Sequence, residues 1–247
     1  MKKTLTIQDL LDTGAHFGHP TSKWNPNFLP YIATKKNGIH IINLEETIRC
    51  IGKAEKELLK ITNSGGIILF VGTKNQVKDV VQESADKCGM FYIVERWLGG
   101  ILTNFSTIKK SIRRLEKLEK ESGAIYKNLT KKEMLQLERE RIKLSDLHRG
   151  IKDMKYIPNA LFVVDVKHEK IAVDEAKILG IPVFGVVDTN TDPELVDFPI
   201  PANDDSIKTI KLILESLTQS INVNSSQKKE DSEKKETPSS SDSENKK

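Results

Sequence analysis

The amino-acid sequence predicts an α/β protein: a doubly wound, mostly parallel five-stranded sheet of the Rossmann or flavodoxin type, with an inserted antiparallel coiled-coil hairpin and an N-terminal β-hairpin. Short continuous apolar runs alternate with segments of helical periodicity, a pattern typical of parallel strands covered on both faces. A long, highly charged helical segment interrupts this alternation. Near the N-terminus, Asn37-Gly38 separates two short strand-like runs, and this pair favours a hairpin turn.

Composition excludes several classes of protein. The 247 residues are 37% hydrophobic and 30% charged, and no apolar run approaches the ~18 residues that span a bilayer. The N-terminal residues lack the apolar stretch that a signal peptide needs. Cys50 and Cys88 lie far apart and form no CxxC pair, which indicates reduced thiols rather than a disulfide framework. We therefore expect a protein of a cytosol-like compartment without a membrane partner.

Charge is divided unevenly along the chain, although the formal total is only +4. Residues 103–157 contain 15 Lys and Arg against 8 Asp and Glu, whereas residues 158–221 contain 5 against 11. Such asymmetry predicts a polyanion bound on one face only, with an acidic face turned to protein partners or to solvent.

The body of the fold is expected over residues 1–104 and 158–221, and residues 5–43 contribute its N-terminal helix and hairpin. A capping box from Thr6 to Asp9 begins that helix, and Gly14 ends it. The aperiodic segment over residues 15–26 is either a nucleic-acid contact or a surface loop that tucks Trp24 into the core. The other expected elements are strands at 31–34, 39–42, 67–71, 91–94, 161–164, 181–187 and 198–201, and helices at 44–62, 75–88, 169–179 and from 206 onward. Because prolines interrupt the last strand, it is placed at the sheet edge.

The segment from Arg96 to Asn104 joins this body to the inserted arm, residues 105–157, and its paired glycines permit a sharp turn. Apolar residues at seven-residue spacing predict two antiparallel helices that break near residues 121–130. The seam residues are Ile108, Ile112, Leu115, Leu137, Leu144, Leu147, Ile151 and Met154. Residues 222–247 are charged and almost without apolar side chains, which is typical of a disordered tail.

A doubly wound sheet raises the expectation of a nucleotide enzyme, but the motifs for one are missing. Gly72-Thr73-Lys74 follows a strand, where phosphates often bind, yet it matches neither GxGxxG nor GxxxxGK[ST]. A nucleotide-binding α/β enzyme therefore stands as the alternative, and a free coiled-coil adaptor as a third interpretation. No catalytic residue and no small-molecule substrate are predicted.

Carboxylates gather where strands of the acidic half end. Asp165 and Asp188 both end strands at the same edge of a parallel sheet, and His16 or His19 can approach them, a donor set that suits a divalent cation. The candidate ligands of such a structural cation are His16, Asp188, Asp204 and Asp205. The simpler interpretation, which we favour, makes Asp204 and Asp205 helix caps and Asp188 the start of a turn, so no cofactor is expected.

Basic and aromatic residues form a more coherent set. Dispersed cations with a few stacking aromatics, and no helix-turn-helix, zinc-finger or RNP signature, favour recognition of structured RNA through its shape and backbone. Two basic pairs on the first arm helix lie about one turn apart, so they are expected on one phosphate-facing surface. The candidate RNA-binding residues are His16, Phe17, His19, Lys23, Trp24, Asn25, Lys35, Lys36, Arg96, Trp97, Thr103, Asn104, Lys109, Lys110, Arg113 and Arg114.

Three blocks of sequence resemble the bacterial-type small-subunit ribosomal protein uS2 family over about residues 4–220. The blocks are Leu10-to-His19 continuing through Trp24-Asn25-Pro26 to Tyr31-Ile32, then Arg96-to-Asn104, then Pro158-to-Asp165 continuing through Ala172, Asp174-Glu175-Ala176 and Gly180-Ile181-Pro182 to Asp188-Thr189-Asn190. The one departure noted is Ile101, where Thr is more familiar in the family.

The resemblance implies an α/β body with an inserted coiled-coil arm and a structural, non-catalytic role in the small ribosomal subunit. It implies binding of 16S-type small-subunit rRNA at the back of the particle, between head and body. It also implies a late role in subunit assembly and contacts with neighbouring small-subunit proteins, including the mRNA-binding protein bS1. The expected location is the cytoplasmic ribosome, with an organellar ribosome as the alternative, and no homo-oligomer is expected.

Overall fold

The computed structural model describes residues 5–120 and 130–235, with side chains through Asn222. The strands are β1 (Phe17–Pro20), β2 (Ile32–Lys36), β3 (Ile39–Ile42), β4 (Ile68–Val71), β5 (Phe91–Ile93), β6 (Ala160–Val164), β7 (Val183–Val187) and β8 (Phe198–Pro201). The α-helices are α1 (Ile7–Asp12), α2 (Leu44–Asn63), α3 (Lys78–Lys87), α4 (Phe105–Lys120), α5 (Lys131–His148), α6 (Lys170–Ile178) and α7 (Ile207–Lys235). Short 3₁₀ helices cover Pro26–Tyr31 and Pro193–Leu195.

Five strands form one parallel sheet in the order β5-β4-β6-β7-β8, which confirms the predicted fold class. Every residue of β4, β6 and β7 is buried, as expected for strands with helices on both faces. Strand β8 lies at the sheet edge, where Pro199 and Pro201 pair with Gly185 and Val187. Because proline has no N–H to donate to a further strand, the position of β8 at the sheet edge could be predicted from its prolines.

Helices cover the two faces of this sheet differently. On one face, α2, α3 and α7 pack through Ile51, Val81 and Ile213. On the other face, α6 packs together with the segment from Arg96 to Asn104 and the start of α4. The arm therefore leaves the body from the second face, beside α6. None of the described helices has both the length and the apolar character needed to cross a membrane.

The predicted N-terminal hairpin is confirmed as β2 and β3, and a third strand, β1, extends it to a three-stranded antiparallel sheet in the order β1-β3-β2. The added strand, β1, lies in the aperiodic segment over residues 15–26. It was not predicted because four residues are too few to show the two-residue period of a strand. Gly18 of β1 lies against Thr189, whose Cγ2 atom would be 2.5 Å from any Cβ added there. The His19 N–H donates to Thr189 Oγ1 at 2.8 Å, so β1 is fixed to the end of β7.

The arm contains α4 and α5, and its return helix, α5, ends earlier than the seven-residue spacing predicts. Ile108, Ile112 and Leu115 of α4 are buried, as expected for a seam. The return helix ends at His148, and the later seam residues Ile151 and Met154 lie beyond it, in the same buried cluster as Ile108 and Ile112. The predicted break falls largely on residues 121–129, outside the described residues.

The last helix begins where it was predicted, after Ser206, but it ends later than predicted. Ser206 alone supplies the expected cap, since its Oγ accepts from the Thr209 N–H at 3.3 Å, whereas Asp204 and Asp205 bind Lys74. The helix continues to Lys235, past residue 222 where the tail was expected to begin. Lys and Glu are frequent between residues 223 and 235 and have good helix propensity. Residues 236–247 of the predicted tail lie outside the described residues.

Candidate nucleic-acid interface

The carboxylate of Glu175, on α6, holds the junction between body and arm. Its side chain is only 7% exposed and faces the segment over residues 97–103. Its two oxygens accept five hydrogen bonds, from Trp97 Nε1 at 3.0 Å, Gly100 N at 2.7 Å, Leu102 N at 3.0 Å, Thr103 N at 3.1 Å and Thr103 Oγ1 at 3.0 Å. Burial of a carboxylate is costly, and these donors replace the water that it loses.

The same donors set the protonation state of Glu175. Burial alone would raise its pKa, but the N–H groups of Thr103, Gly100 and Trp97 favour the charged form and bring the pKa below its ordinary value. Glu175 is therefore ionised at neutral pH. Its charge fixes a turn in which Gly100 adopts a φ of +91°, a conformation that favours glycine.

Three of the four junction residues predicted to bind RNA make hydrogen bonds within the fold. Trp97 was expected to fix the base of the arm against either RNA or the body; it is 7% exposed, lies in the core and donates to Glu175, so its ring packs on the body. The Thr103 hydroxyl also donates to Glu175. The Asn104 Oδ1 atom accepts from Thr107 Oγ1 at 2.9 Å and orders the first turn of α4.

Sequence reasoning missed Glu175. The available signal was a charged residue inside the buried stripe of a short helix, since Ala172, Val173 and Ala176 are buried around it. A carboxylate at such a position requires donors close by. The Gly99-Gly100 turn supplies such donors, since backbone N–H groups within and after it donate to Glu175.

A first groove at the base of the arm lies between Arg96 and α5, and we call it the α5 groove. Its volume is about 430 Å³, and it is lined by Glu95, Arg96, Arg139, Ile142, Lys143, Asp146 and Leu147. None of its three cations makes an ion pair with the described residues. Glu95, by contrast, is already paired with Lys78 at 2.8 Å and Arg149 at 3.2 Å. The groove therefore carries unneutralised positive charge.

A second groove runs along α4, and we call it the α4 groove. Its volume is about 310 Å³, and it is lined by Lys109, Ile112, Arg113, Glu116, Lys152, Asp153, Met154 and Lys155. Lys109 Nζ donates to the backbone carbonyl of Lys155 and lies 4.9 Å from the Phe105 ring centroid. Tyr156 is 73% exposed, and its ring centroid is 5.9 Å from the same ammonium group. Cations and an accessible ring thus lie side by side.

The four cations predicted to share one face of α4 divide between two faces. Lys109 and Arg113 line the α4 groove, and Lys110 is exposed. Arg114 reaches α5, where its Nε lies 3.1 Å from a carboxylate oxygen of Glu140. The division follows from helical geometry, because residues four apart differ by about 40° around the axis and adjacent residues by about 100°. Arg114 ties the two arm helices together.

The N-terminal candidates also separate into exposed residues and residues held by the fold. Trp24 is half-buried, and its ring centroid lies 4.8 Å from that of His40. His16 is half-buried, and Asn25 Oδ1 accepts from the Asn27 N–H at 2.9 Å to begin the 3₁₀ helix. The exposed candidates of this region are Phe17, Lys23, Lys35 and Lys36.

At the carboxyl end of the parallel sheet, carboxylates surround Lys74. Its Nζ lies 2.6 Å from Asp165 and 3.1 Å from both Asp204 and Asp205. Burial alone would lower the pKa of Lys74, but the hydrogen bond to Asp165 and the charge of Asp204 raise it above its ordinary value. Burial and the neighbouring carboxylates raise the pKa of Asp204 to about 7.

This cluster occupies the sheet edge at which the sequence offers a candidate nucleotide site and a candidate cation site. A phosphate would add negative charge where three carboxylates already hold one lysine, so the site disfavours a nucleotide. The imidazole that reaches the carboxylates belongs to His19 rather than to His16. Among the described residues, no three His, Cys, Asp or Glu side chains are placed to hold a metal ion. The favoured interpretation of Asp204 and Asp205 as helix caps was also wrong, because both bind Lys74.

His19 anchors β1 to this edge. Its Nδ1 lies 3.0 Å from Asp188 Oδ2, and its Nε2 lies 3.7 Å from Asp205 Oδ2. The hydrogen bond to Asp188 and the charges of the nearby aspartates outweigh burial, so the pKa of His19 is raised above its ordinary value. His19 therefore serves as a pH-dependent contact between the two sheets.

We expect the N-terminal sheet to be held less tightly as pH rises. Because the folded-state pKa of His19 is raised, its contribution is fully present below the unfolded-state pKa of about 6.5 and is lost as pH rises through the folded-state value. The unfolding free energy of the wild type should fall more steeply above about pH 6.5 than that of His19→Gln, measured by urea denaturation. Equal slopes would contradict this role.

The acidic half of the chain does not present the acidic face that its composition predicted. Of its eleven carboxylates, five are buried, namely Asp165, Glu169, Glu175, Asp188 and Asp204. All five of its lysines are exposed. The surface of residues 158–221 is therefore close to neutral, because the buried carboxylates organise the core around Lys74 and the junction.

Comparison with known proteins gives one family. The family described as Ribosomal protein S2 matches residues 10–223. A relative from Fusobacterium nucleatum subsp. nucleatum, named small ribosomal subunit protein uS2, is 48% identical over 219 residues, which cover 88% of this chain and 89% of the relative. Proteins of the same name from Cytophaga hutchinsonii and Onion yellows phytoplasma are 50% and 54% identical over 222 and 211 residues, covering 90% and 85% of this chain and 87% and 78% of those proteins.

Proposed function

Because the chain belongs to the ribosomal protein S2 family, we propose that it holds small-subunit rRNA with the two basic grooves at the base of its arm. Proteins of this family are structural components of the small ribosomal subunit, and this chain is one of them rather than an enzyme. The observation that carries the proposal is that most of the groove cations make no ion pair with the described residues; Lys152, which is paired with Glu119, is the exception.

RNA backbone contacts require cations that are exposed and free to approach phosphates. Arg96 and Arg139 of the α5 groove offer planar guanidinium groups, which donate in pairs to phosphate oxygens, whereas Lys143 acts as a point charge. Each phosphate contact releases condensed counterions, so affinity falls as the salt concentration rises. Tyr156, beside the α4 groove, adds a ring on which an unpaired base can stack.

Family membership also supports a proposed position of this chain in the small subunit, a role in subunit assembly and a protein partner. In this proposal the protein lies at the back of the small subunit between head and body and joins it late in assembly. It contacts neighbouring small-subunit proteins and helps to dock the mRNA-binding protein bS1. The exposed Lys23, Lys35 and Lys36 extend the RNA-binding surface along the N-terminal sheet.

Removal of the groove cations should weaken retention in the small subunit. We compare Arg96→Ala/Arg139→Ala/Lys143→Ala in the α5 groove with Lys109→Ala/Arg113→Ala/Lys155→Ala in the α4 groove. Each variant loses up to about three phosphate contacts, so the slope of log affinity against log salt should fall by roughly 3. Cosedimentation with purified small subunits over a salt series measures the slope, and both variants should be released at lower salt than the wild type.

The matched control removes the same charge from the opposite side of the sheet. Lys53→Ala/Lys56→Ala/Lys208→Ala changes three exposed lysines on α2 and α7 and should follow the wild-type salt curve. Release of control and groove variants at the same salt concentration would contradict the groove assignment. Wild-type protein that sediments free of the subunit at low salt would overturn the RNA proposal itself.

A further inference from the structure

The return helix of the arm, α5, is held against α4 by few buried side chains. Helix α4 buries Phe105 and four aliphatic side chains, whereas His148 is the one buried residue of α5, all of which lies in the described part of the chain. Leu137, Leu144 and Leu147 are only half-buried. Apolar contacts of this kind are not directional, so they hold α5 on α4 without fixing its rotation about its own axis.

A hydrogen bond between His148 and Ser111 of α4 makes this contact directional. The Nε2 atom of His148 lies 2.8 Å from Ser111 Oγ, and His148 is 1% exposed. Burial lowers the pKa of His148, so its ring is neutral at neutral pH. A hydrogen bond requires both a short distance and alignment. Rotation of α5 by one residue, about 100°, would therefore break it.

This pair is not needed to fill the seam between the helices. Ser111 lies seven residues before the buried Leu118, and positions seven apart share one helix face, so an apolar side chain would also suit the seam there. The Nδ1 atom of His148 is buried and has no hydrogen-bond partner among the described residues. Because a half-satisfied buried imidazole costs stability, the pair contributes orientation rather than stability.

The cations of the α5 groove belong to two different parts of the molecule. Arg96 lies in the junction on the body, beside the Trp97 indole that Glu175 holds. Arg139 and Lys143 lie on α5, so they move with that helix. All three cations face one groove only while α5 keeps its orientation.

We propose that His148 is a positioning residue for RNA, an inference that rests on the proposed binding of rRNA in the α5 groove. Its hydrogen bond to Ser111 fixes the orientation of α5 and so presents the two cations of that helix beside Arg96. A single buried polar side chain fixes the register of a coiled coil in the same way, at a cost in stability. The ion pair between Arg114 and Glu140 also joins the helices, but exposed pairs contribute little and are screened by salt.

Replacement of His148 by leucine separates orientation from stability. His148→Leu fills about the same volume with an apolar side chain, so the midpoint of urea unfolding should be at least as high as that of the wild type. Retention by purified small subunits should nevertheless weaken, and the slope of log affinity against log salt should fall by roughly 2, because two cations leave the groove. His148→Gln keeps a hydrogen-bonding group near the Nε2 position and should restore the wild-type slope.

Removal of the two α5 cations tests whether both effects have one cause. Arg139→Ala/Lys143→Ala should lower the slope by roughly 2 in the wild-type background and should have no further effect in His148→Leu. Glu140→Gln is the matched control, because it breaks the exposed ion pair to Arg114 without removing a cation. It should follow the wild-type salt curve.

The orientation of α5 can be measured without RNA, in the full chain. Spin labels at Lys117→Cys on α4 and Gln136→Cys on α5 occupy exposed positions, in a Cys88→Ser background in which Cys50 is buried. Pulsed electron paramagnetic resonance should give one narrow distance distribution for the wild type, His148→Gln and Glu140→Gln, and a broader one for His148→Leu.

Identical distance distributions in all variants would overturn the role of His148. Additive losses of slope in the combined variant would do the same, as would a lower unfolding midpoint of His148→Leu that accompanies its weaker retention, since that would show a merely structural role. Wild-type protein that purified small subunits do not retain at low salt would instead overturn the proposed function, and the distance distributions would still decide whether His148 orients α5.

Discussion

Replacement of Glu175 by alanine should lower the free energy of unfolding by on the order of 4 kcal/mol, because it removes the acceptor of five hydrogen bonds at once. The Trp97 indole N–H and the Leu102 backbone N–H would be left buried. Each unsatisfied buried donor costs about 1–3 kcal/mol. Urea denaturation followed by circular dichroism measures the loss.

Two further variants separate the charge of Glu175 from its volume. Glu175→Gln keeps the shape but turns an amide NH₂ toward N–H donors, so it should recover only part of the stability. Asp174→Ala changes an exposed carboxylate on the same helix and should stay within about 0.5 kcal/mol of the wild type. Equal stability of Glu175→Ala and Asp174→Ala would show that the junction does not depend on the carboxylate.

The dependence on Glu175 has a defined pH range. Because its folded-state pKa is lowered, the contribution of Glu175 is present above its unfolded-state pKa of about 4.3 and is lost as pH falls through the folded-state value. Wild type and Glu175→Gln should therefore converge in acid. The same carboxylate orders the chain between Arg96 and α4, so its loss should also weaken retention in the small subunit.

Local sequence patterns predicted the elements whose burial produces a local pattern of apolar residues. Strands β4, β6 and β7 are continuous apolar runs because helices bury both of their faces, and the sequence shows this directly. Strand β1 escaped prediction because its position depends on Thr189, which is distant in the chain. Seven-residue spacing extended the return helix past His148, since Ile151 lies beyond the helix but is buried in the same cluster as the seam residues Ile108 and Ile112.

The candidate site was less predictable, because charge counts do not reveal which charges are buried. The acidic total of residues 158–221 predicted an acidic surface, but Glu175 and Asp204 are internal counter-charges. Trp97 belonged to the right segment but points into the core. Arg139 and Lys143 were missed because they become part of a groove only when α5 folds back beside Arg96.

Lys74→Met should give the second large loss of stability, roughly 3 kcal/mol at neutral pH. The substitution keeps the aliphatic stem but leaves the buried Asp165 and Asp204 without their shared counter-ion. The folded-state pKa of Asp204, which is already raised, then rises further, so the variant binds a proton on acidification and its deficit relative to the wild type shrinks. Urea denaturation from about pH 8 to about pH 5 measures both effects. Lys208→Met, an exposed lysine on α7, is the control and should behave like the wild type.

The same variant distinguishes two roles for a Gly-Thr-Lys turn that follows a parallel strand. A phosphate-binding lysine would lose nucleotide affinity on substitution and leave stability nearly unchanged, because exposed ion pairs contribute little. A structural counter-ion would lose stability and leave no nucleotide affinity to measure. Three carboxylates lie within 3.1 Å of the Lys74 ammonium group, so we expect the second result. Saturable ATP binding by the wild type that Lys74→Met abolishes would reverse that conclusion, since the carboxylates would then have to release the lysine to a phosphate.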